Sequence, residues 1–306
     1  MRIKSTPLLL ALTFALSWPA VAARLGDPAA PLSIQEWVKG EAVDVKDGKN
    51  VYVVEFWATW CGPCLTSIPH LTELQKKFKS QGVVFVGVSD ETSAKVKAFV
   101  NGQGDKMDYR VAVDDARKTT EAYMKAYGQN GIPTAFIVGK DGKVLWVGHP
   151  MAELEETLQQ VIDGKYDLAA AARQDEFRAS LREYQALAAK GDEKAKELGA
   201  TLLTTAGDNV ASLSELAFDI VAMDVPNRDF ALADRALDQA EKTGGKEDAR
   251  IVSVRAITRF ESGQEAQGLE LARKAVELAK VPNEKARYQN YVSVMERRMK
   301  PAVEAK

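Results

Sequence analysis

The two cysteines of this chain, Cys61 and Cys64, stand close together where an apolar run ends. The run, residues 51–57, is rich in β-branched and aromatic residues and has the length of a β-strand. Apolar residues then recur every three or four positions, which predicts a helix over residues 61–81. The cysteines therefore lie on a strand-to-helix turn. Pro69 should bend that helix because a proline removes one backbone hydrogen bond.

The spacing of the cysteines favours a redox role over a structural one. A disulfide between Cys61 and Cys64 closes almost no loop, so it would constrain little of the unfolded chain. A sulfur at a helix N-terminus faces unpaired backbone N–H groups, which favour the thiolate. We predict that Cys61 is the attacking thiol and that Cys64, one turn further on, resolves the mixed disulfide.

The stretch at residues 56–64, Phe-Trp-Ala-Thr-Trp-Cys-Gly-Pro-Cys, resembles the active site of the thioredoxin superfamily. Three further positions carry the resemblance. Glu55 stands where the superfamily has a buried acidic residue, and Pro69 matches its helix-kinking proline. Residues 131–134, Gly-Ile-Pro-Thr, resemble its cis-proline loop.

Two features narrow the resemblance to the secreted branch typified by TlpA and ResA. They are an entry segment at residues 25–32 and a long strand-helix-strand stretch between residues 83 and 113. The resemblance covers residues 25–163. It implies an α/β thioredoxin-like fold and the activity of a thiol-disulfide oxidoreductase.

The carboxyl of Glu55 is the candidate proton acceptor for Cys64. Its sequence neighbours are apolar, which favours burial over the alternative of an edge-strand carboxylate facing water. Burial raises the pKa of a carboxyl by desolvation, and a carboxyl with a raised pKa can take the proton that Cys64 must lose.

A substrate-binding surface is expected from Trp60, Ile132 and Pro133. The resemblance implies a cis bond before Pro133, whereas most X-Pro bonds in folded proteins are trans. A cis bond would present the backbone of Ile132 beside the dithiol, where an extended substrate could pair with it.

We expect neither a metal site nor a cofactor. A zinc site takes four ligands, and besides the two cysteines the chain offers only His70 and His149 among the usual nitrogen and sulfur ligands. Neither histidine belongs to a recognisable constellation of catalytic residues, so neither is given a catalytic role.

The N-terminal residues 1–22 read as a secretory signal peptide. A short basic start precedes an apolar stretch at residues 8–18, and Ala20-Val21-Ala22 is a small-x-small cleavage site. The apolar stretch is too short to span a bilayer. An exported protein with a redox-type cysteine pair belongs in a bacterial periplasm. The alternative is an uncleaved, anchoring N-terminus.

A chain of 306 residues leaves room for a domain beyond the thioredoxin-like one. We expect an α/β thioredoxin-like domain at residues 23–166 and an all-α domain at residues 172–306. In the first, strands and helices alternate after the cysteines: a strand at 83–88, a helix at 93–100, a strand at 109–113, a helix at 116–127, a hairpin at 134–138 and 143–147, and a helix at 152–162.

Helical periodicity dominates the second part, and glycines and prolines separate seven candidate helices. They span residues 176–189, 193–205, 213–223, 228–242, 247–262, 264–280 and 284–299. Small residues recur at an offset of 39 residues, with Ala217, Ala233 and Ala236 returning as Ala256, Ala272 and Ala275. The segment 256–279 resembles a tetratricopeptide unit. An ordinary amphipathic helical bundle remains the alternative.

Two classes of function fit these observations. The first is an enzyme that reduces protein disulfides and is itself reduced by a membrane or periplasmic electron donor. The second is a redox-sensing adaptor whose helical domain binds a client protein. The combination of both cysteines with Glu55 favours the enzyme, because a sensor needs no proton-transfer carboxylate. A peroxidase is less favoured, since peroxiredoxin sites resemble a Thr-x-x-Cys pattern that Cys61 lacks. A net charge of -2 with mixed charges offers no basic stripe for nucleic acid.

Overall fold

The structure is a computed structural model that describes residues 23–226 and 228–299. The predicted signal peptide lies outside the described residues. The chain divides into two compact units, one that ends at Tyr166 and one that begins at Asp167. In the described part of the chain, no helix is both long and apolar enough to cross a membrane.

The first unit is built on a six-stranded mixed sheet whose strands follow the order β1-β4-β3-β2-β5-β6. The pairs β2–β3 and β3–β4 are parallel, and the other neighbouring pairs are antiparallel. The strands are β1 (Ile34–Lys39), β2 (Val51–Phe56), β3 (Val83–Ser89), β4 (Arg110–Asp114), β5 (Thr134–Val138) and β6 (Val144–Gly148).

The strand β2 lies near the middle of the sheet and is buried on both faces. Because side chains alternate along a strand, Val51 and Val53 join one core cluster while Tyr52 and Val54 join another. The first cluster also contains the apolar stripe of helix α1 (Gly62–Phe78). This alternation places the side chain of Glu55 on the face that α1 covers.

The remaining helices of this unit are short. They are α2 (Ser93–Gln103), α3 (Lys118–Thr120) and α4 (Leu154–Ile162), with 3₁₀ turns at Lys79–Gln81 and Gly104–Met107. The strands and helices predicted after the cysteines are present, with ends shifted by up to three residues, apart from one helix. An additional edge strand, β1, pairs with β4 and has an irregular register.

The helix predicted over residues 116–127 is present from Lys118 to Lys125, but it begins two residues later than predicted and most of it is π-helical. Ala116 and Arg117 adopt left-handed φ angles of 50° and 65°, so a helix cannot pass through them. The buried carboxylate of Asp114 instead accepts hydrogen bonds from the backbone N–H groups of Thr119 and Thr120, at 2.9 and 2.7 Å. This anchor starts the helix at Lys118, after which a π-helical turn runs over Glu121–Lys125.

The second unit contains seven helices among its described residues, and each matches a predicted one. The first begins at Leu168, earlier than the predicted residue 176, because the side chain of Asp167 caps the backbone N–H of Ala170 at 2.9 Å. The helices are α5 (Leu168–Ala189), α6 (Lys194–Ala206), α7 (Val210–Ala222), α8 (Phe230–Gly244), α9 (Ala249–Glu261), α10 (Glu265–Leu278) and α11 (Pro282–Met299).

The small residues of the 39-residue repeat lie in the helical core. Helix α7 packs on α8, and α9 packs on α10. The repeated alanines are buried on both helix pairs: Ala217, Ala233 and Ala236 on the first, and Ala256, Ala272 and Ala275 on the second. Small buried side chains let neighbouring helices approach closely. The tetratricopeptide-like interpretation stays a prediction.

We expect Gly268→Ala to destabilise the helical unit. A Cβ at Gly268 would lie 2.8 Å from the carbonyl oxygen of Ala256 and 2.8 Å from the backbone nitrogen of Phe260, so α9 and α10 would have to separate. Overpacking of this kind costs about 1–3 kcal/mol. The better helix propensity of alanine returns at most about 1 kcal/mol.

The measurement is urea unfolding of the full chain, followed by the helical circular dichroism signal. Gly102→Ala is the matched control, because a Cβ at Gly102 in α2 meets nothing within 4 Å. Equal unfolding midpoints for both variants would show that α9 and α10 do not need the glycine.

Candidate active site

The two cysteines form a disulfide where β2 leads into α1, with their Cα atoms 5.2 Å apart. Cys61 is the N-cap of α1, and its sulfur accepts a hydrogen bond from the backbone N–H of Cys64 at 3.2 Å. The first turn of α1 contains no acidic residue. After reduction, the helix N-terminus would therefore stabilise a thiolate on Cys61.

The two sulfurs differ in their access to solvent. Cys61 is 4% exposed, whereas Cys64 is fully buried. Both cysteines are buried in the disulfide form, and Cys61 is the one that keeps a small exposed surface. The preceding residue, Trp60, is 70% exposed and is the most exposed of the large apolar side chains in the described part of the chain.

The loop before β5 lies against the disulfide. The peptide bond between Ile132 and Pro133 is cis, which confirms the prediction from the resemblance. The carbonyl oxygen of Ile132 lies 3.6 Å from the sulfur of Cys61. The hydroxyl of Thr134 donates to the carbonyl of Gly131 at 2.7 Å and closes the loop. Cys61 and Ile132 are thus brought together, while Pro133 itself is buried.

A cleft of about 460 Å³ opens beside this loop. It lies near the carboxyl ends of the parallel strands β2 and β3, where ligands commonly bind in α/β sheets. Its apolar lining includes Phe56, Val88, Met124, Ile132 and Trp60, and its polar lining includes Asp90, Arg117, Glu121, Lys125 and Asn130.

Two ion-paired contacts anchor the loops around the cleft. The carboxylate of Glu91 accepts hydrogen bonds from the backbone N–H and the hydroxyl of Thr59, at 2.6 and 3.0 Å, and pairs with Lys95. Arg117 pairs with Asp90. Because Thr59 lies just before Trp60 and Cys61, the Glu91 contact holds the turn that presents the disulfide.

The carboxyl of Glu55 is buried, with only 1% of its surface exposed. It accepts hydrogen bonds from the hydroxyl of Ser67 at 3.1 Å and from the phenol of Tyr109 at 3.3 Å. Ser67 Oγ also lies 3.0 Å from the carbonyl oxygen of Cys64. Burial raises the pKa of Glu55 to about 8, although both hydrogen bonds oppose this shift. Burial therefore favours the protonated form of Glu55 over the carboxylate in this disulfide form.

Comparison with known proteins agrees with this geometry. A family model described as the AhpC/TSA family matches residues 25–147. Over 138 residues the chain is 36% identical to a thiol-disulfide oxidoreductase ResA of Bacillus cereus, and the match covers 43% of this chain and 76% of that protein. The chain belongs to the thiol-disulfide oxidoreductases of the thioredoxin superfamily.

Other members of the superfamily match over a similar share of the chain. The ResA protein of Bacillus thuringiensis (strain Al Hakam) is 39% identical over 119 residues, or 38% of this chain, and the chain spans 65% of its length. A solved thiol:disulfide interchange protein from Chlorobium tepidum TLS is 30% identical, with a TM-score of 0.38, and covers 46% of this chain and 98% of its own. The family match ends before the helical unit begins.

Sequence reasoning missed several residues of this superfamily site. Ser67 follows Cys64 by three positions on α1, so helical spacing could have placed it near the buried sulfur. Glu91 lies two residues after the buried strand β3 ends at Ser89, a position typical of site residues in parallel sheets. No local signal marks Tyr109, because only the packing of β4 beside β3 brings it to Glu55.

Neither histidine of the chain is part of the site around the disulfide. His70 lines a groove between α1 and α4, and Nδ1 of His149 accepts a hydrogen bond from the backbone N–H of Met151 at 3.2 Å. Within the described residues, no group of three or more histidine, cysteine, aspartate and glutamate side chains is arranged to hold a metal ion.

Proposed function

We propose that this protein reduces disulfide bonds of partner proteins in the periplasm through Cys61 and Cys64. The observation that carries the proposal is the asymmetry of the two sulfurs. Cys61 keeps 4% of its surface exposed next to the exposed Trp60 and lies against the carbonyl of Ile132, whereas the fully buried Cys64 precedes Ser67, which contacts Glu55.

The first step is an attack by the thiolate of Cys61 on a client disulfide. A bond forms between Cys61 and one client sulfur, and the other client sulfur leaves with the electron pair of the broken bond and takes a proton from solvent. The N-terminus of α1 stabilises the attacking thiolate. The client backbone can pair with the backbone of Ile132 beside Cys61.

The second step releases the client. The thiol of Cys64 gives its proton to the carboxylate of Glu55 and attacks the sulfur of Cys61. The Cys61–Cys64 disulfide forms, and the second client sulfur leaves as a thiolate and is protonated by solvent. The client has then gained two electrons and two protons. An electron donor of the membrane or the periplasm, itself a dithiol, must return two electrons to Cys61 and Cys64.

Two sequence features support the direction and the compartment. Gly62 and Pro63 between the cysteines resemble the reducing members of the superfamily. Residues 1–22 have the charge and hydropathy pattern of a signal peptide. Both features support a reductase that meets its clients after export.

We assign client binding, without chemistry, to the helical domain at residues 172–306. This segment contains no cysteine, histidine or tryptophan, so the usual nucleophiles, bases and metal ligands are nearly absent from it. Stacked helix pairs typically present an extended surface for a protein partner. The catalytic domain at residues 23–166 would then fold and react without it.

A truncated protein of residues 23–166 tests this division of labour. We expect it to reduce insulin at a rate within about twofold of the full chain, because the disulfide, Glu55 and the cleft all lie in the first unit. We also expect slower reaction with the native client, identified as the protein trapped on Cys61 by the full-length Cys64→Ser variant.

The control is a thermal unfolding curve of the truncated protein, which should remain cooperative. Loss of insulin reduction in a folded truncated protein would contradict the assignment of chemistry to residues 23–166. A full chain that binds its client but shows no turnover would instead favour the redox-sensing adaptor.

A further inference from the structure

The buried carboxyl of Glu55 contacts no cation. Its hydrogen-bond partners are the hydroxyls of Ser67 and Tyr109, and among residues 23–226 and 228–299 no lysine, arginine or histidine forms an ion pair with it. The sheet neighbours of Glu55 carry no titratable side chain, since it pairs with Gly87 on β3 and Ala135 on β5. The titratable group that contacts it is the phenol of Tyr109, and Ser67 connects it to the backbone carbonyl of Cys64 on α1.

The phenol of Tyr109 reaches Glu55 because Gly87 has no side chain. Tyr109 lies just before β4, whereas Glu55 lies on β2, so the tyrosine ring must pass across β3. A Cβ at Gly87 would lie 3.0 Å from Cε2 of Tyr109 and 3.0 Å from Nε1 of Trp57. The ring therefore occupies the space that a side chain at Gly87 would fill. Glu55 on β2, Gly87 on β3 and Tyr109 just before β4 therefore pack closely together.

Ser67 and Tyr109 have different contacts around the carboxyl. Ser67 has one hydroxyl hydrogen and two acceptors within reach, Glu55 Oε1 at 3.1 Å and the carbonyl of Cys64 at 3.0 Å. When Glu55 is protonated, it can donate to Ser67 while Ser67 donates to Cys64. Ser67 can thus donate its hydroxyl hydrogen to the carbonyl of Cys64 instead of to Glu55. The hydroxyl of Tyr109, in contrast, donates to Glu55.

We propose that Tyr109 is a positioning residue for the proton transfer at Glu55. Its phenolic O–H holds Oε2 of the carboxyl, so that Oε1 stays in contact with Ser67, whose hydroxyl also contacts the carbonyl of Cys64, and it stabilises the carboxylate that accepts the proton of Cys64. The proposal rests on the proposed function of Glu55 as the proton acceptor for Cys64.

The proposed proton transfer explains why an uncharged hydrogen-bond donor, the phenol of Tyr109, suits the positioning of Glu55. Glu55 must accept a proton when Cys64 attacks and must lose it again before the next cycle. A buried lysine or arginine would favour the carboxylate strongly and oppose proton uptake. A single phenol gives weaker support to the carboxylate. Burial and the nearby carboxylate raise the pKa of Tyr109 well above its usual value, so the phenol itself stays protonated.

The experiment measures the ionisation of Glu55 directly, without using activity. Infrared difference spectra of the oxidised full-length protein report the carbonyl stretch of a protonated buried carboxyl, and Glu55→Gln assigns the band. We expect Tyr109→Phe to move the titration midpoint upward by about one pH unit, because a donor to the charged form is lost. Phenylalanine keeps the ring that packs against Gly87.

Tyr123→Phe is the matched control. Tyr123 is also buried and hydrogen-bonded, but its hydroxyl donates to the carbonyl of Ala30 at 2.7 Å, in the cluster on the other face of the sheet. Its removal should leave the Glu55 midpoint unchanged. The rate at which Cys64 releases a preformed mixed disulfide should show the same upward shift in its pH profile in Tyr109→Phe and no shift in Tyr123→Phe.

An unchanged midpoint in Tyr109→Phe, or equal shifts in both tyrosine variants, would overturn the assignment of Tyr109. If the wild-type protein fails to reduce insulin while the midpoint still moves in Tyr109→Phe, the proposed function fails but the contact between Tyr109 and Glu55 stands. The two failures are therefore distinguishable.

Discussion

We expect the replacement of Cys61 with serine to reduce the turnover of insulin to the rate of dithiothreitol alone. The sulfur of Cys64 is fully buried and should not take over the attack on a client disulfide, whereas Cys61 keeps a small exposed surface and caps the N-terminus of α1. The measurement is insulin precipitation in the presence of dithiothreitol, with the purified full chain.

Cys64→Ser is the matched variant, since it removes the other sulfur of the same disulfide. It should also lose turnover, but through accumulation of a mixed disulfide between Cys61 and the client, because the resolving thiol is missing. Mass spectrometry of the trapped species identifies the cysteine involved. If alkylation of the reduced protein at mildly acidic pH modifies Cys64 before Cys61, the two roles have been assigned the wrong way round.

We expect the replacement of Glu55 with glutamine to remove a pH dependence from the stability of the oxidised protein. Burial raises the pKa of Glu55 from 4.5 to about 8 in the folded state. Between these values the folded protein binds more protons than the unfolded chain, so its stability falls as the pH rises through this window. The slope approaches about 1.4 kcal/mol per pH unit. A glutamine has no charged form to bury.

As the pH rises from 5 to 9, we therefore expect the stability of Glu55→Gln to increase relative to that of the wild type by a few kcal/mol, as an order of magnitude. Urea unfolding at a series of pH values measures the difference in free energy of unfolding between the variant and the wild type. The titration of other groups cancels in this difference. Glu121→Gln, at an exposed residue of the cleft, is the control and should follow the wild type. Parallel curves for the wild type and Glu55→Gln would mean that Glu55 is already ionised in the folded protein.

These effects of Glu55→Gln on stability and on catalysis should have opposite signs. The same substitution should slow the release of the client from Cys61, because no carboxylate remains to take the proton of Cys64. Formation of the mixed disulfide should change less, since Cys61 owes its reactivity to the N-terminus of α1. The buried carboxyl thus costs stability at alkaline pH and serves proton transfer.

Patterns within short stretches of the sequence determined much of the architecture. The β-branched run before Cys61 predicted the central strand β2, and the apolar spacing after it predicted α1, because both periodicities are local. The seven helices of the second unit followed from the same signal. The helix predicted over residues 116–127 begins only at Lys118, because its start depends on the carboxylate of Asp114, which no helical periodicity reports.

The sequence by itself determined the residue types of the redox site and their place on a strand-to-helix turn. It also marked Glu55 as a buried acid, through its apolar neighbours. Only the tertiary structure decided which sulfur is accessible and what surrounds the carboxyl. Tyr109 reaches Glu55 across 54 residues of chain, and Glu91 reaches Thr59 across 32, because parallel strands bring distant segments to one edge of the sheet. Burial and hydrogen bonding at that edge depend on strand order, which local periodicity does not encode.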